Sequence, residues 1–116
     1  MGNYLDKSYW NGLLKIGLSR FLILRVLYGR PLHCYVITRF ITQLTDGNCS
    51  PSEGSLYPVL NDFLSEGYVT CSISTVAGRK RKVYTLTQKG IKAYYTAIES
   101  WHEMTRVLIE KKKHTG

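Results

Sequence analysis

Residues Ser50 to Gly67, SPSEGSLYPVLNDFLSEG, mark out a complete helix whose two faces demand different surroundings, and this stretch limits the folds open to the chain. Ser50 with Glu53 three residues later has the form of a capping box, in which each side chain accepts from the other residue's free backbone N–H. Pro51 then falls at the first helical position, where a missing donor costs nothing. Leu56, Val59, Leu60, Phe63 and Leu64 recur at helical spacing as one apolar stripe, while Ser52, Ser55, Asn61, Asp62 and Ser65 are polar and lie away from it. Gly67 supplies the left-handed residue that commonly ends a helix. Pro58 is the exception. In a helix running from Pro51 it removes the bond to the Gly54 carbonyl, at a cost of about 3 kcal/mol, so the helix is expected to kink there or to become regular only near Ser55.

On either side of this stretch the periodicity predicts more helix and one hairpin. Ser8 to Tyr28 reads as a first helix in which Trp10, Leu13, Leu14, Leu18, Phe21, Leu22, Leu24, Val26 and Leu27 cover more than one face. That is more apolar surface than one small core needs, so part of this helix is expected to pack against another subunit. Gly29, Arg30 and Pro31 stop it. Leu32 to Leu44 reads as a short second helix with Val36, Ile37, Phe40, Ile41 and Leu44 inward, and Thr45 to Cys49 as a turn. Two short helices around a compact turn satisfy a helix-turn-helix, a pattern also shared by helical hairpins that bind nothing. After Gly67 the period falls to two: Tyr68 to Ser74 and Lys82 to Leu86 read as strands, with Thr75 to Arg81 as the turn. Thr87 is a good N-cap for a last helix from Gln88 to about Lys112. Along it Ile91, Tyr94, Ile98, Trp101, Thr105 and Leu108 follow the spacing of a coiled-coil seam, which requires a facing helix. Lys111, Lys112, Lys113 and His114 read as a solvated basic tail suited to that helix's negative end.

A chain of 116 residues that is 44% hydrophobic and 21% charged fits one globular domain. Its net charge of +8 favours polyanionic partners, nucleic acid or an acidic membrane surface, without choosing between them. Cys34, Cys49 and Cys71 are odd in number and contain no CxxC pair, so free thiols in a reducing, cytoplasmic compartment are expected. The N-terminus lacks an apolar signal run, and Leu13 to Tyr28 is interrupted by Lys15, Arg20 and Arg25, so no membrane association is expected.

The sharpest electrostatic feature is Arg79, Lys80, Arg81 and Lys82 in unbroken succession. Four like charges repel, and a fold keeps them together where an outside anion compensates. A solubilising edge turn is the plain alternative, and the helix-turn-helix just before it tilts the balance to nucleic acid. No catalytic motif is present, and His33, His102 and His114 are scattered, so neither an enzyme nor a metal or cofactor site is expected. Trp10 and Trp101 are either interface anchors or the aromatic wall of a site for a flat ligand.

Taken together, LHCYVI, SPSEGSLYPVLNDFLSEGYV, AGRKRKVYTLTQKG and AIESW resemble the PadR family of bacterial transcriptional regulators over roughly Leu22 to Trp101. The resemblance implies an α+β, mainly α fold: a winged helix-turn-helix with a long C-terminal dimerisation helix. It implies DNA contacts from Ser52, Ser55, Tyr57, Pro58 and Asn61 on the capped helix, and from Arg79, Lys80, Arg81 and Lys82 on the wing. Tyr84 and Gly90 match hairpin and helix-packing positions. Residues 1–86 would form the DNA-binding domain, with helix 8–28 contributing to the dimer, and residues 87–116 the dimerisation helix and basic tail. The chain is similar to the compact PadR subgroup, which implies a homodimeric repressor on an inverted-repeat operator of double-stranded DNA. It also implies a planar aromatic effector held at Trp101 in the dimer interface, and Trp10 is expected to lie near the same site. Where the family usually has Gly before the Tyr of its second helix, this chain has Cys34, either a small buried residue or a redox sensor. A winged helix used as a protein-interaction module, or a regulator of the MarR type, is the rival reading.

Overall fold

The computed structural model describes residues 3–115, with side chains as far as residue 110. In chain order the elements are α1 (Lys7–Leu27), β1 (Leu32–His33), α2 (Cys34–Leu44), α3 (Glu53–Ser65), β2 (Val69–Val76), β3 (Arg79–Leu86) and α4 (Gln88–Thr115). The strands form one antiparallel sheet in the order β1-β3-β2. The chain therefore has the expected fold class, mainly helical with a small winged sheet and a long last helix.

The core lies where α1, α2, α3 and the sheet converge. Ile23 and Leu27 of α1, Ile37 and Ile41 of α2, Leu56 and Leu60 of α3, and Val69 and Tyr84 of the hairpin are all fully buried there. Each such side chain contributes roughly 1.5–3 kcal/mol of burial, and together they fix α3 against the sheet. Only the C-terminal half of α1 joins this core. Its N-terminal half leaves Trp10, Leu13, Leu14 and Ile16 exposed, as expected of a helix with more apolar surface than one subunit covers.

Several local expectations are corrected. The N-cap of α3 is Ser52, not Ser50, and its Oγ accepts from the Ser55 N–H at 3.2 Å. Pro51 thus stands outside the helix, and Glu53 is its first residue rather than half of a capping box. The later start leaves little more than one turn ahead of Pro58, and exposed Gly54 leaves the carbonyl that loses its partner open to water. Leu44 and Leu64, expected to face inward, are exposed at helix ends. Leu32 and His33 are not the first turn of α2 but a two-residue strand, pairing with Tyr84 and Val83 of β3. So short a strand leaves no periodicity to detect.

The start of α4 is tied to the end of α3. Thr87 Oγ1 accepts from the Gly90 N–H at 3.1 Å, the N-cap role expected of it, and donates to the Gly67 carbonyl at 2.7 Å. Lys89 Nζ donates to the Glu66 carbonyl at 2.7 Å and lies 4.4 Å from the centre of the Tyr68 ring. Gly90 packs so closely on this junction that a Cβ there would stand 2.1 Å from the Tyr68 carbonyl oxygen. Farther along, Tyr94 stacks against Phe21 at 6.0 Å and Tyr28 at 4.9 Å, and the Tyr28 and Tyr95 hydroxyls share a hydrogen bond, fastening α4 to α1. The backbone of α4 continues to Thr115, but the side chains of Lys111, Lys112, Lys113 and His114 lie outside the described residues.

Candidate nucleic-acid interface

The apolar stripe of α3 turns Leu56 and Leu60 into the core, and the remaining faces are left to solvent. Ser52, Ser55, Pro58 and Asn61 are exposed, and Tyr57 is 39% exposed. Ser52 and Ser55 are partly committed to the helix start, since Ser55 Oγ donates to the Ser52 carbonyl at 2.8 Å. The Asn61 side-chain amide makes no hydrogen bond among the described residues, so both its donor and its acceptor are available.

The wing is longer and its turn tighter than expected. Ala77 and Gly78 both have positive φ, 51° and 78°, the conformation of a two-residue type I′ turn whose twist matches that of the strands it joins. Arg79, Lys80 and Arg81 consequently belong to β3 with Lys82, not to the turn, and the four pair with Val76, Thr75, Ser74 and Ile73 of β2. Successive side chains of a strand alternate between faces, so the run divides into two pairs, which relieves the repulsion expected of four adjacent cations.

α3 and the wing meet at a pocket of about 240 Å³ lined by His33, Cys34, Tyr35, Glu53, Tyr57, Lys80, Arg81 and Lys82. Of the residues expected to bind DNA, it brings together Tyr57 with Lys80, Arg81 and Lys82; Ser52, Ser55, Pro58, Asn61 and Arg79 lie outside it. Partial burial raises the Tyr57 hydroxyl above its ordinary range, Cys34 and Glu53 add to the rise, and Arg81 opposes it. Tyr57 is thus a neutral hydroxyl at physiological pH. Cys34 is 4% exposed, and burial, followed by the charge of Glu53, pushes its thiol up to about 11. A buried, protonated thiol is a poor nucleophile, so Cys34 here is a small core residue.

Sequence reasoning missed the contribution of β1 and α2. His33 and Tyr35 line the same pocket, and Arg39 lies over the Tyr35 ring, 5.7 Å from its centre. The available signal was the i, i+4 spacing of Tyr35 and Arg39 on the polar side of α2. Trp10 and Trp101 are not brought together within one subunit. Trp10, 49% exposed, belongs to an aromatic cluster with Tyr4 and Tyr9 and donates from Nε1 to the Tyr4 carbonyl at 2.9 Å. Trp101 is 39% exposed on α4. Among the described residues no group of three or more His, Cys, Asp or Glu is placed to hold a metal, and no helix is long and apolar enough to cross a membrane.

No curated protein matches the chain significantly in sequence. Among solved structures, a transcriptional regulator from Clostridium thermocellum is similar with a TM-score of 0.75 and 25% identity, over 84% of this chain and 92% of that one. A PadR-like transcriptional regulator from Bacillus cereus, at 23% identity, shares the fold with a TM-score of 0.73 over 84% of this chain and 94% of its own. Bacillus subtilis PadR in complex with operator DNA matches with a TM-score of 0.62 and 25% identity, over 68% of this chain but 45% of that longer one. The transcriptional regulator PadR-like family model matches residues 23–96. That match takes in all of α2, α3 and the wing with their junction to α4, and the chain belongs to the PadR-like family of transcriptional regulators.

Proposed function

We propose that this regulator is a homodimer that binds double-stranded DNA at an inverted-repeat operator and acts as a repressor in the cytoplasm. The observation that carries the DNA reading is the meeting of Tyr57 of α3 with Lys80, Arg81 and Lys82 of β3 at one pocket, with Ser52, Ser55 and Asn61 exposed on the same helix. Bacillus subtilis PadR, similar in fold, is seen with operator DNA, which supports the same partner for this chain. α3 enters the major groove, where Ser52, Ser55, Tyr57, Pro58 and Asn61 meet the DNA. Base reading falls to the four that carry polar groups, and Arg79, Lys80, Arg81 and Lys82 hold phosphates and fix the register. The dimer is made by the apolar faces that one subunit leaves open: Trp10, Leu13 and Ile16 on α1, and Ile98, Trp101, Met104 and Leu108 on α4.

The experiment is duplex binding as a function of salt. If the two wings supply about eight phosphate contacts, affinity falls on the order of 10⁴-fold between 50 and 200 mM salt. Salt-independent binding, or none to random duplex at low salt, contradicts the reading and favours a protein-interaction module.

Regulation by a planar aromatic effector follows from the two exposed tryptophans at the proposed interface. Such a ligand must bind one spacing of the α3 helices better than another to regulate anything. Quenching of Trp10 and Trp101 fluorescence by members of a panel of planar aromatics is expected. No quenching across the panel reduces both to interface anchors.

A further inference from the structure

We infer that the pocket between β1, the start of α2, the start of α3 and β3 is the seat of one DNA backbone phosphate, lined by Tyr35 of α2 and by Lys80, Arg81 and Lys82 of β3, with Arg39 of α2 outside the lining but beside it, over the Tyr35 ring. The inference rests on the DNA reading above and extends it to an element that reading leaves unused.

The pocket's walls carry an excess of positive charge. Lys80, Arg81 and Lys82 line it against the single carboxylate of Glu53, and none of the three cations forms an ion pair among the described residues. About 240 Å³ suits a phosphate with part of its sugar. Tyr35 is 48% exposed yet held in place, because the His33 imidazole lies parallel to its ring at 6.5 Å and the Arg39 guanidinium lies 5.7 Å from its centre. An exposed Tyr fixed by two neighbours offers a preorganised hydroxyl donor, and it brings with it a guanidinium of the geometry that forks phosphate oxygens. α2 also begins here without a side-chain cap, since His33 makes no capping bond, and its first-turn N–H groups have no side-chain acceptor. A helix that crosses the DNA backbone while its successor enters the groove requires this kind of contact. Glu53 opposes the anion, so its charge lowers affinity for every sequence alike.

The test compares the salt dependence of random-duplex binding for wild type, Arg39→Gln, Tyr35→Phe and Glu53→Gln. All three positions are exposed, and unchanged melting temperatures confirm that the variants fold. For Arg39→Gln the slope of log affinity against log salt falls by about 0.9 for each subunit's lost contact, and affinity falls about tenfold on all sequences. Tyr35→Phe keeps the ring stacking but loses several-fold in affinity, again without regard to sequence. Glu53→Gln binds several-fold tighter. Normal wild-type binding with all three variants unchanged overturns the phosphate seat alone. A change in sequence preference at Glu53→Gln makes that side chain a base reader and also overturns it. Absence of any duplex binding by wild type overturns the DNA reading as a whole. Inorganic phosphate, compared with chloride at equal ionic strength, should not displace the duplex; displacement would identify a site for a free oxyanion instead.

Discussion

Gly90 shows how much one residue decides. Replacing a helical Gly by Ala ordinarily stabilises a helix by about 1 kcal/mol, because Ala loses less backbone entropy. Here the added methyl would stand 2.1 Å from the Tyr68 carbonyl oxygen, a backbone atom that moves only if the α3–β2 junction moves with it. Overpacking of this kind costs about 1–3 kcal/mol, so the clash wins. Gly90→Ala is expected to lower the urea midpoint, with a net loss of up to about 2 kcal/mol, and a midpoint at or above wild type would show that the junction yields. The role of Gly90 was legible as a family position, whereas the choice of Ser52 over Ser50 as N-cap was not. Both serines precede an acceptable helix start, and only the chain's approach to α3 separates them. Cys34 was open in the sequence between redox sensor and core residue, and its burial decides for the core.

At the scale of elements, strong periodicity was readable and short or irregular structure was not. α1 and the start of α4 fall within a residue or so of expectation because their apolar residues repeat over many turns. β1 escaped because two residues carry no period, and the wing turn was drawn too wide because Ala77 gives no warning of a positive φ. The shift matters for the proposed function: all four cations lie on a strand paired with β2, which sets the spacing they would offer to DNA. On the proposed reading the wing and α3 have separable roles. Replacing Arg79, Lys80, Arg81 and Lys82 by Ala is expected to weaken binding to every duplex about equally, whereas Asn61→Ala changes the preferred sequence. Competition binding with specific and random duplexes checks this, and the reverse pattern would mean that the roles are exchanged.

For the whole molecule, one chain leaves a definite set of apolar side chains uncovered. Its core is closed around α2, α3 and the sheet, yet apolar side chains stay open along the N-terminal half of α1 and the outer length of α4. The seam spacing made an apolar face on α4 legible in the sequence, and that face stays open from Ile98 onward, while the pocket that joins β1, α2, α3 and β3 was hidden because its residues are distant along the chain. On the proposed reading, a two-fold pair of chains would present two copies of α3 to successive major grooves, about 34 Å apart. Selection of bound duplexes from a random pool by the purified protein tests this most directly. The account predicts enrichment of an inverted repeat whose half-site centres are about 10–10.5 base pairs apart; a single asymmetric motif, or no enrichment at all, would contradict it.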